Sequence, residues 1–122
     1  MPVDQPTFDA ITSLNRSAAV RAAWLIHYLG LYGAHVHVTE GRRTIGRQRT
    51  LFAQGRTAPG PVVTWTLASR HLTGRAFDID FVGVSADQVP DVWWDLAGRI
   101  GEWLGLRWGG RWAVRDLRHF EY

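Results

Sequence analysis

The feature that most constrains the fold is a strict alternation near the middle of the chain. From Ala76 to Val82, large apolar side chains alternate with an alanine and two aspartates. Because successive side chains of a β-strand point to opposite faces, the pattern predicts a strand with one apolar face. The opposite face carries Asp78 and Asp80. Any fold of this chain must bury the first face and accommodate two carboxylates on the second.

Three other segments have the spacing of amphipathic helices. Apolar residues recur every three or four positions from Thr12 to Leu31, which predicts a helix that begins at Thr12 or Ser13 and packs on a sheet. The same spacing predicts a second helix from Ile45 to Gln54 and a third from about Pro90 to Leu104. The buried stripe expected for the third helix consists of Trp93, Ala97, Ile100 and Leu104.

Further strands are predicted on both sides of these helices. His35 to Thr39 alternates at period two and is rich in β-branched residues. Leu106 to Trp108 and His119 to Tyr122 are interpreted as two short final strands. Gly55 to Pro61 predicts an irregular loop, and Val62 to Thr66 a short extended piece.

Two separated stretches contain the residue types of a catalytic zinc site. The first holds His71 and Asp78, and the second, at the C-terminal end, holds Asp116 and His119. Since the chain has no cysteine, any metal must be held by nitrogen and oxygen. Two imidazoles and one carboxylate, from His71, Asp78 and His119, would fill three positions of a tetrahedral Zn²⁺ and leave the fourth open. Asp80 lies on the same strand face and is an alternative ligand.

Asp116 is placed to take part in the chemistry of such a site. Zinc lowers the pKa of a water ligand to roughly 7, and a nearby carboxylate can accept the proton as that water attacks a carbonyl. Asp116 stands three residues before His119, in the loop that delivers it. The structural alternative is a loop carboxylate paired with Arg115 or Arg118.

Length and charge limit the classes of protein. With 122 residues the chain is expected to form one domain without disulfides. Its net charge is +3, and all 14 basic residues are arginine, which fits an anionic partner such as nucleic acid, a membrane surface or a bacterial wall, or a GC-rich genome. The N-terminus lacks the pattern of an export signal, and no segment has the roughly 20 apolar residues of a membrane span. We therefore expect synthesis in the cytosol.

Two motifs of this chain resemble the signatures of the zinc D-Ala-D-Ala carboxypeptidase and L-alanyl-D-glutamate endopeptidase family, which includes VanY-like enzymes and phage endolysins. The motifs are Ser69-x-His71-x-x-Gly74-x-Ala76-x-Asp78 and Asp116-x-x-His119-Phe120. The segment from Arg43 to Gly60 and the Trp108-Gly109-Gly110 stretch are also similar to that family. The resemblance runs from about His35 to Tyr122.

The resemblance implies a fold and a set of roles. The fold is a small single α+β domain with a central antiparallel sheet flanked by helices and zinc in a cleft, as in hedgehog and D-Ala-D-Ala peptidase-like folds. The implied general base is Asp116. Arg43 would stabilise the oxyanion or hold a substrate carboxylate, with Arg42 as the rival for that role. Substrate contacts are expected at the cleft from Ser69, Trp65 and Trp112.

The function implied is a zinc-dependent peptidoglycan endopeptidase of the L-alanyl-D-glutamate type. The carboxypeptidase branch usually has Glu where this chain has Asp116, which favours the endopeptidase. We expect a monomeric phage or prophage endolysin without a separate wall-binding domain, made in the host cytoplasm and acting on the wall after release. Its partner is the peptidoglycan stem peptide, and we expect neither nucleic-acid binding nor stable membrane association.

Alternatives remain open on the sequence. The first is a D-Ala-D-Ala carboxypeptidase, and the second is a non-catalytic module that binds wall peptides. Nucleic-acid binding rests only on charge and aromatic content and lacks a recognition motif. Manganese or cobalt suits a similar nitrogen and oxygen site. His35 and His37 share one strand face but have no further ligand nearby in sequence.

Overall fold

The computed structural model describes residues 3–122 and confirms an α+β architecture with a central antiparallel sheet. The helices of this part are α1 (Gln5–Ser13), α2 (Arg16–Leu31), α3 (Ile45–Ala53) and α4 (Asp91–Trp103). The strands are β1 (Val36–Glu40), β2 (Ala76–Phe81), β3 (Arg107–Trp108) and β4 (His119–Glu121). Met1 and Pro2, the start of the segment interpreted as lacking an export signal, lie outside the described residues. Among residues 3–122, no helix is both long and apolar enough to cross a bilayer.

The sheet has the order β1-β2-β4-β3, and every neighbouring pair is antiparallel. The alternation predicted for β2 is confirmed, since Phe77, Ile79 and Phe81 are all buried. Strands β2 and β4 lie at the centre of the sheet. Because side chains alternate along a strand, their polar residues lie on the face opposite the core. This arrangement leaves one polar sheet face for a site.

The core lies between the apolar sheet face and the helices α2 and α4. Phe77 of β2 stacks on Phe120 of β4 with ring centroids 5.7 Å apart. The stripe of α2 that packs over them is fully or nearly fully buried and consists of Ala18, Ala22, Leu25 and Leu29. Each large side chain in this layer contributes roughly 1.5–3 kcal/mol by leaving water.

The N-terminal helix prediction is wrong in its start. The chain forms α1 before Leu14, where the backbone becomes extended, and α2 begins only at Arg16. Each helix has its own cap, because Asp4 Oδ1 accepts from the Thr7 amide at 2.8 Å and Asn15 Oδ1 accepts from the Ala18 amide at 2.9 Å. The apolar spacing correctly predicted helix α2. Its first residue, however, is set by the Asn15 cap and not by the spacing.

The buried stripe of α4 agrees with the prediction at Ala97, Ile100 and Leu104, which are buried or partly buried against the core, but differs at its first residue. Trp94 is 3% exposed, whereas Trp93 is 39% exposed and packs only on the edge of the core against Phe81. Trp103, at the C-terminal end of α4, is 72% exposed. Ala97 is buried as predicted.

Two glycines explain why α4 lies so close to the sheet. Gly98 faces the ring of Trp108, and Gly101 faces the ring of Phe120. A Cβ atom on Gly101 would lie 2.5 Å from a ring carbon of Phe120, so these positions require glycine. The close approach sets which neighbouring side chains of α4 enter the core.

The segment Val62 to Thr66, predicted as a short extended piece, forms no β-strand and is part of a long loop after α3. Gln48 of α3 is completely buried and anchors the loop. Its side-chain Nε2 donates to the Thr66 carbonyl oxygen at 2.5 Å. The loop therefore lies against α3, beside the polar face of the sheet.

Candidate metal centre and cleft

Asp78, His119 and His71 are brought together by the sheet register and one tight turn. Asp78 of β2 is the direct antiparallel partner of His119 of β4, so their side chains project from the same face. His71 lies in a 3₁₀ turn over Arg70–Thr73 that precedes β2. Gly74 ends this turn with a φ of +70°, a conformation that returns the chain into the strand and favours glycine.

The three side chains point at a common position. His71 Nε2 and His119 Nδ1 each lie 3.3 Å from Asp78 Oδ1. One potential ligand atom from each residue falls within 4.8 Å of the other two. Both imidazoles are buried, and the aspartate is partly exposed toward the cleft.

The donor set and its unsatisfied oxygen fit a bound cation. Within residues 3–122, Asp78 Oδ1 is buried and has no hydrogen-bond partner, which is costly for a carboxylate oxygen. Ligand atoms placed about 2.1 Å from a tetrahedral ion lie roughly 3.4 Å apart. The observed nitrogen-to-oxygen distances of 3.3 Å match that spacing. The cluster thus has the composition and dimensions of a metal site with three protein ligands.

The charges of the cluster are strongly coupled. Burial alone would raise the pKa of Asp78, but the neighbouring imidazoles of His119 and His71 outweigh it and hold that pKa well below its ordinary value. Burial alone would lower the pKa of His119, but Asp78 and Glu121 outweigh it and raise the pKa to about 9. His119 must therefore lose a proton before its ring nitrogen can bind a cation.

Each imidazole is oriented by a second hydrogen bond. His71 Nδ1 donates to the Gly41 carbonyl oxygen at 2.8 Å, which turns Nε2 toward Asp78. His119 Nε2 lies 2.9 Å from Glu121 Oε1, which turns Nδ1 toward Asp78. Sequence reasoning missed Glu121, although the signal was available, because His119 and Glu121 are two residues apart on one strand and therefore share a face.

Asp116 lies in the loop before β4 and lines the same cleft as the cluster. Its backbone amide donates to the Gly109 carbonyl oxygen at 2.9 Å, which holds the loop against the end of β3. Partial burial of its carboxylate and repulsion from Asp78 raise the pKa of Asp116 above its ordinary value, although the residue as a whole is exposed. A carboxylate with these properties can exchange a proton near the cluster.

The structure separates the two candidate arginines. Arg43 lines the cleft, where its Nε donates to Glu40 Oε1 at 2.8 Å and its Nη1 donates to Gln48 Oε1 at 2.6 Å. The Arg42 guanidinium instead donates to the carbonyl oxygens of Ser13 and Thr73. These bonds hold the Arg42 side chain against α1 and the turn that carries His71, so Arg43 is the better placed of the two, and a substrate contact by Arg42 stays a prediction.

The cleft has a volume of about 1030 Å³ and includes the other predicted substrate contacts. Trp65, from the loop after α3, and Trp112, from the loop before β4, are both exposed in its lining. The Trp112 ring centroid lies 4.9 Å from that of His119. Ser69 also lines the cleft, but its hydroxyl accepts from the His71 amide at 3.2 Å and thus caps the turn that carries His71.

The alternative ligands named on the sequence have other partners. Asp80 Oδ2 forms an ion pair with Arg118 at 2.7 Å. His37 Nδ1 lies 3.8 Å from Asp4 Oδ2, beside a separate pocket that His35 also lines. The cluster of potential ligand atoms consists of His71, Asp78 and His119.

Known proteins are similar to this chain in sequence and in fold. Residues 63–122 match a family model described as D-alanyl-D-alanine carboxypeptidase. The peptidoglycan L-alanyl-D-glutamate endopeptidase CwlK of Bacillus subtilis (strain 168) is 30% identical over 104 residues, which cover 73% of this chain and 61% of that protein. The chain thus spans about three-fifths of the length of this curated relative.

Two solved structures have a similar fold. The L-Ala D-Glu endopeptidase ChiX of Serratia marcescens matches with a TM-score of 0.76 and 23% identity, covering 96% of this chain and 86% of that chain. The D,D-pentapeptidase VanY from a VanB-type vancomycin resistance cassette, solved as a variant in complex with Zn(II), matches with a TM-score of 0.66 and 15% identity. That match covers 89% of this chain and 72% of VanY.

Proposed function

Since this chain belongs to the D-alanyl-D-alanine carboxypeptidase family of peptidases, we propose that it is a zinc-dependent peptidoglycan endopeptidase that cleaves the L-alanyl-D-glutamate bond of the stem peptide. One observation carries the proposal: His71, Asp78 and His119 converge on a single point in a cleft that also holds Asp116. The activity named for CwlK and for ChiX supports this choice of bond.

The three convergent residues would hold the metal ion. When bound, such an ion supplies Lewis-acid chemistry, in which it polarises a carbonyl group and makes water acidic enough to attack near neutral pH. Two imidazole nitrogens and one carboxylate oxygen are ligands that suit zinc, and VanY was solved with Zn(II). Three protein ligands would leave a tetrahedral ion one further position for water or substrate.

Asp116 is the proposed general base. One of its carboxylate oxygens accepts the proton of the attacking water and then returns it to the nitrogen of the leaving amine. Partial burial and the nearby Asp78 raise the pKa of Asp116, which strengthens it as a base. Because Asp116 lies on the cleft wall and not inside the cluster, it stays free to move this proton.

Arg43 is the proposed stabiliser of the developing oxyanion. Glu40 and Gln48 hold its guanidinium in place, so little reorganisation is needed when negative charge forms on the substrate carbonyl oxygen. Trp65 and Trp112 offer flat apolar walls for the stem peptide. Ser69 contributes by fixing the turn that carries His71.

A D-Ala-D-Ala carboxypeptidase is the second candidate. The description of the matched family model and the likeness to VanY favour it. In that reaction Arg43 would bind the terminal carboxylate of the substrate, a role that suits a guanidinium fork. The two reactions use the same catalytic groups and differ in the bond that the cleft presents to them.

We further propose that the protein acts as a monomeric phage or prophage lysin. It would be made in the host cytoplasm and would reach the wall after the membrane is breached. The net charge of +3 supports encounter with an anionic wall, an attraction that weakens as salt increases.

Mass spectrometry of purified wall digested by the protein tests this function. We expect fragments with a new amino terminus on D-glutamate, and we expect a chelator to abolish them because the metal is removed. Release of D-alanine alone would instead establish the carboxypeptidase. If the protein binds the wall but cleaves nothing in the presence of added zinc, it is a non-catalytic binding module and the proposed function is wrong.

Replacement of the proposed base tests the mechanism separately. Asp116→Asn should lower kcat by roughly 10²- to 10⁴-fold, because the amide cannot accept the proton. Zinc affinity should not change, since Asp116 lies outside the ligand cluster. Asp87→Asn, in an exposed turn between β2 and α4, is the matched control and should keep full activity. Unchanged kcat in Asp116→Asn would exclude this residue as the base.

A further inference from the structure

The side chain of Glu121 lies beside the candidate metal centre and has no part in the chemistry proposed above. It is 8% exposed. Its Oε1 lies 2.9 Å from His119 Nε2, and its Oε2 accepts from Arg70 Nε at 2.7 Å. Both carboxylate oxygens are therefore engaged, one by the ring of a candidate ligand and the other by the residue that precedes His71.

We propose that Glu121 is a positioning residue for metal binding, which accepts the Nε2 hydrogen of His119 and so leaves Nδ1 free to bind the cation. Of the two ring nitrogens, Nδ1 is the one that lies 3.3 Å from Asp78 Oδ1. A hydrogen bond to the far nitrogen of a ligand imidazole fixes both its tautomer and its orientation. The inference rests on the proposed function in requiring a cation at this centre.

The sheet accounts for the position of Glu121. It lies two residues after His119 on β4, so both side chains project from the same face. Its antiparallel partner on β2 is Ala76, while that of His119 is Asp78. Because Ala76 is small and completely buried, the glutamate side chain can occupy the space next to the imidazole.

Arg70 extends this arrangement to a second candidate ligand. It belongs to the 3₁₀ turn that carries His71, whereas Glu121 belongs to the strand that carries His119. The bond between Arg70 and Glu121 therefore ties together two elements that are distant in sequence. Through it, Glu121 helps to keep the two imidazoles at their relative positions.

Stability alone does not account for an acid at this position. Burying a carboxylate costs desolvation free energy, which an ion pair repays only in part, and apolar side chains often serve a purely structural site as well. Orienting an imidazole, in contrast, requires a hydrogen-bond acceptor at this distance from Nε2. Glu121 supplies that acceptor and is itself held by Arg70.

The Kd for Zn²⁺ alone, measured by competition with a chromophoric chelator, tests the inference. Glu121→Ala should weaken zinc binding by about 10- to 100-fold. Glu121→Gln should weaken it less, because the amide oxygen can still accept from Nε2, and this variant decides the question if Glu121→Ala does not fold. Glu102→Ala is the matched control and should not change the Kd, since Glu102 pairs with Arg111 on the surface of α4.

The tautomer of His119 in the metal-free protein, at a pH above about 9 where its ring is neutral, is the second readout, from long-range proton–nitrogen NMR correlations of the ring. We expect hydrogen on Nε2 in the unaltered chain and a mixture in Glu121→Ala. A merely structural residue would lower the unfolding temperature but leave the Kd and the tautomer unchanged, and that result overturns the inference while the proposed function stands. Failure of the unaltered chain to bind zinc overturns both.

Discussion

At the scale of single residues, the arginine pair after β1 shows how two adjacent side chains can lie in different surroundings, one in the cleft and one against a helix. Arg42 and Arg43 are adjacent and chemically identical. Arg43 lies in the cleft and bonds to Gln48, whereas Arg42 bonds to Ser13 of α1. No local pattern in the sequence distinguishes them, because the distinction depends on contacts with residues far along the chain.

Conservative replacement of the two arginines should therefore have unequal effects. Arg43→Lys should lower kcat on the order of 10²-fold, because lysine lacks the fork that Glu40 and Gln48 hold in position. Arg42→Lys should keep nearly full activity. Steady-state kinetics on soluble wall fragments, with zinc content checked for each variant, measures both. Equal losses in the two variants would contradict the role given to Arg43.

The identities of the candidate ligands could be predicted from the sequence, whereas the hydrogen-bond partners that orient them could not. His71, Asp78 and His119 are unusual in combination and stand in recognisable motifs. The hydrogen bond from His71 to the Gly41 carbonyl oxygen joins residues that are 30 positions apart, and no periodicity in the sequence predicts it. Hydrogen bonds of this kind depend on how the turn and the strands pack in the folded chain.

At the scale of elements, α4 is positioned by its glycines more than by its apolar stripe. Gly98 and Gly101 let the helix approach Trp108 and Phe120 closely. That approach rotates Trp94 into the core and leaves Trp103 exposed. Helical spacing predicted the existence of α4, but several neighbouring tryptophans satisfied the same spacing, so the buried face could not be chosen from the pattern.

Adding one methyl group to this interface should be costly. Gly101→Ala would place a Cβ atom 2.5 Å from the ring of Phe120, so the free energy of unfolding should fall by roughly 1–3 kcal/mol. Gly46→Ala in α3 is the matched control, because its Cβ would meet nothing closer than 4.0 Å. That variant should be unchanged or stabilised by up to about 1 kcal/mol. Urea denaturation compares them, and a neutral Gly101→Ala would refute the close contact.

At the scale of the whole molecule, stability and metal binding are linked through His119. In the metal-free protein, its pKa is raised to about 9 from the ordinary value of 6.5 by Asp78 and Glu121, against the opposing effect of burial. A raised folded-state pKa adds stability that is fully present below the unfolded-state pKa. That stability is lost as pH rises through the folded-state value.

The metal-free chain should therefore lose stability at alkaline pH. In excess chelator, the free energy of unfolding should fall by on the order of 3 kcal/mol between about pH 6 and pH 10 because His119 loses its proton. His119→Gln should lack this decrease, so the difference between the two titrations isolates the residue. Zinc should raise the unfolding temperature of the unaltered chain near neutral pH. Parallel pH titrations of the two proteins would contradict the coupling.

Local sequence patterns determined the alternation of β2, the existence of α2, α3 and α4, and the residue types of the candidate centre. Those features depend on periodicity and on chemical identity, which any short segment carries by itself. Tertiary structure alone decided that Asp78 faces His119, that Glu121 stands behind the imidazole and that Arg43 enters the cleft. The physical reason is that strand register and helix packing join residues tens of positions apart, and only the folded chain brings their atoms within bonding distance.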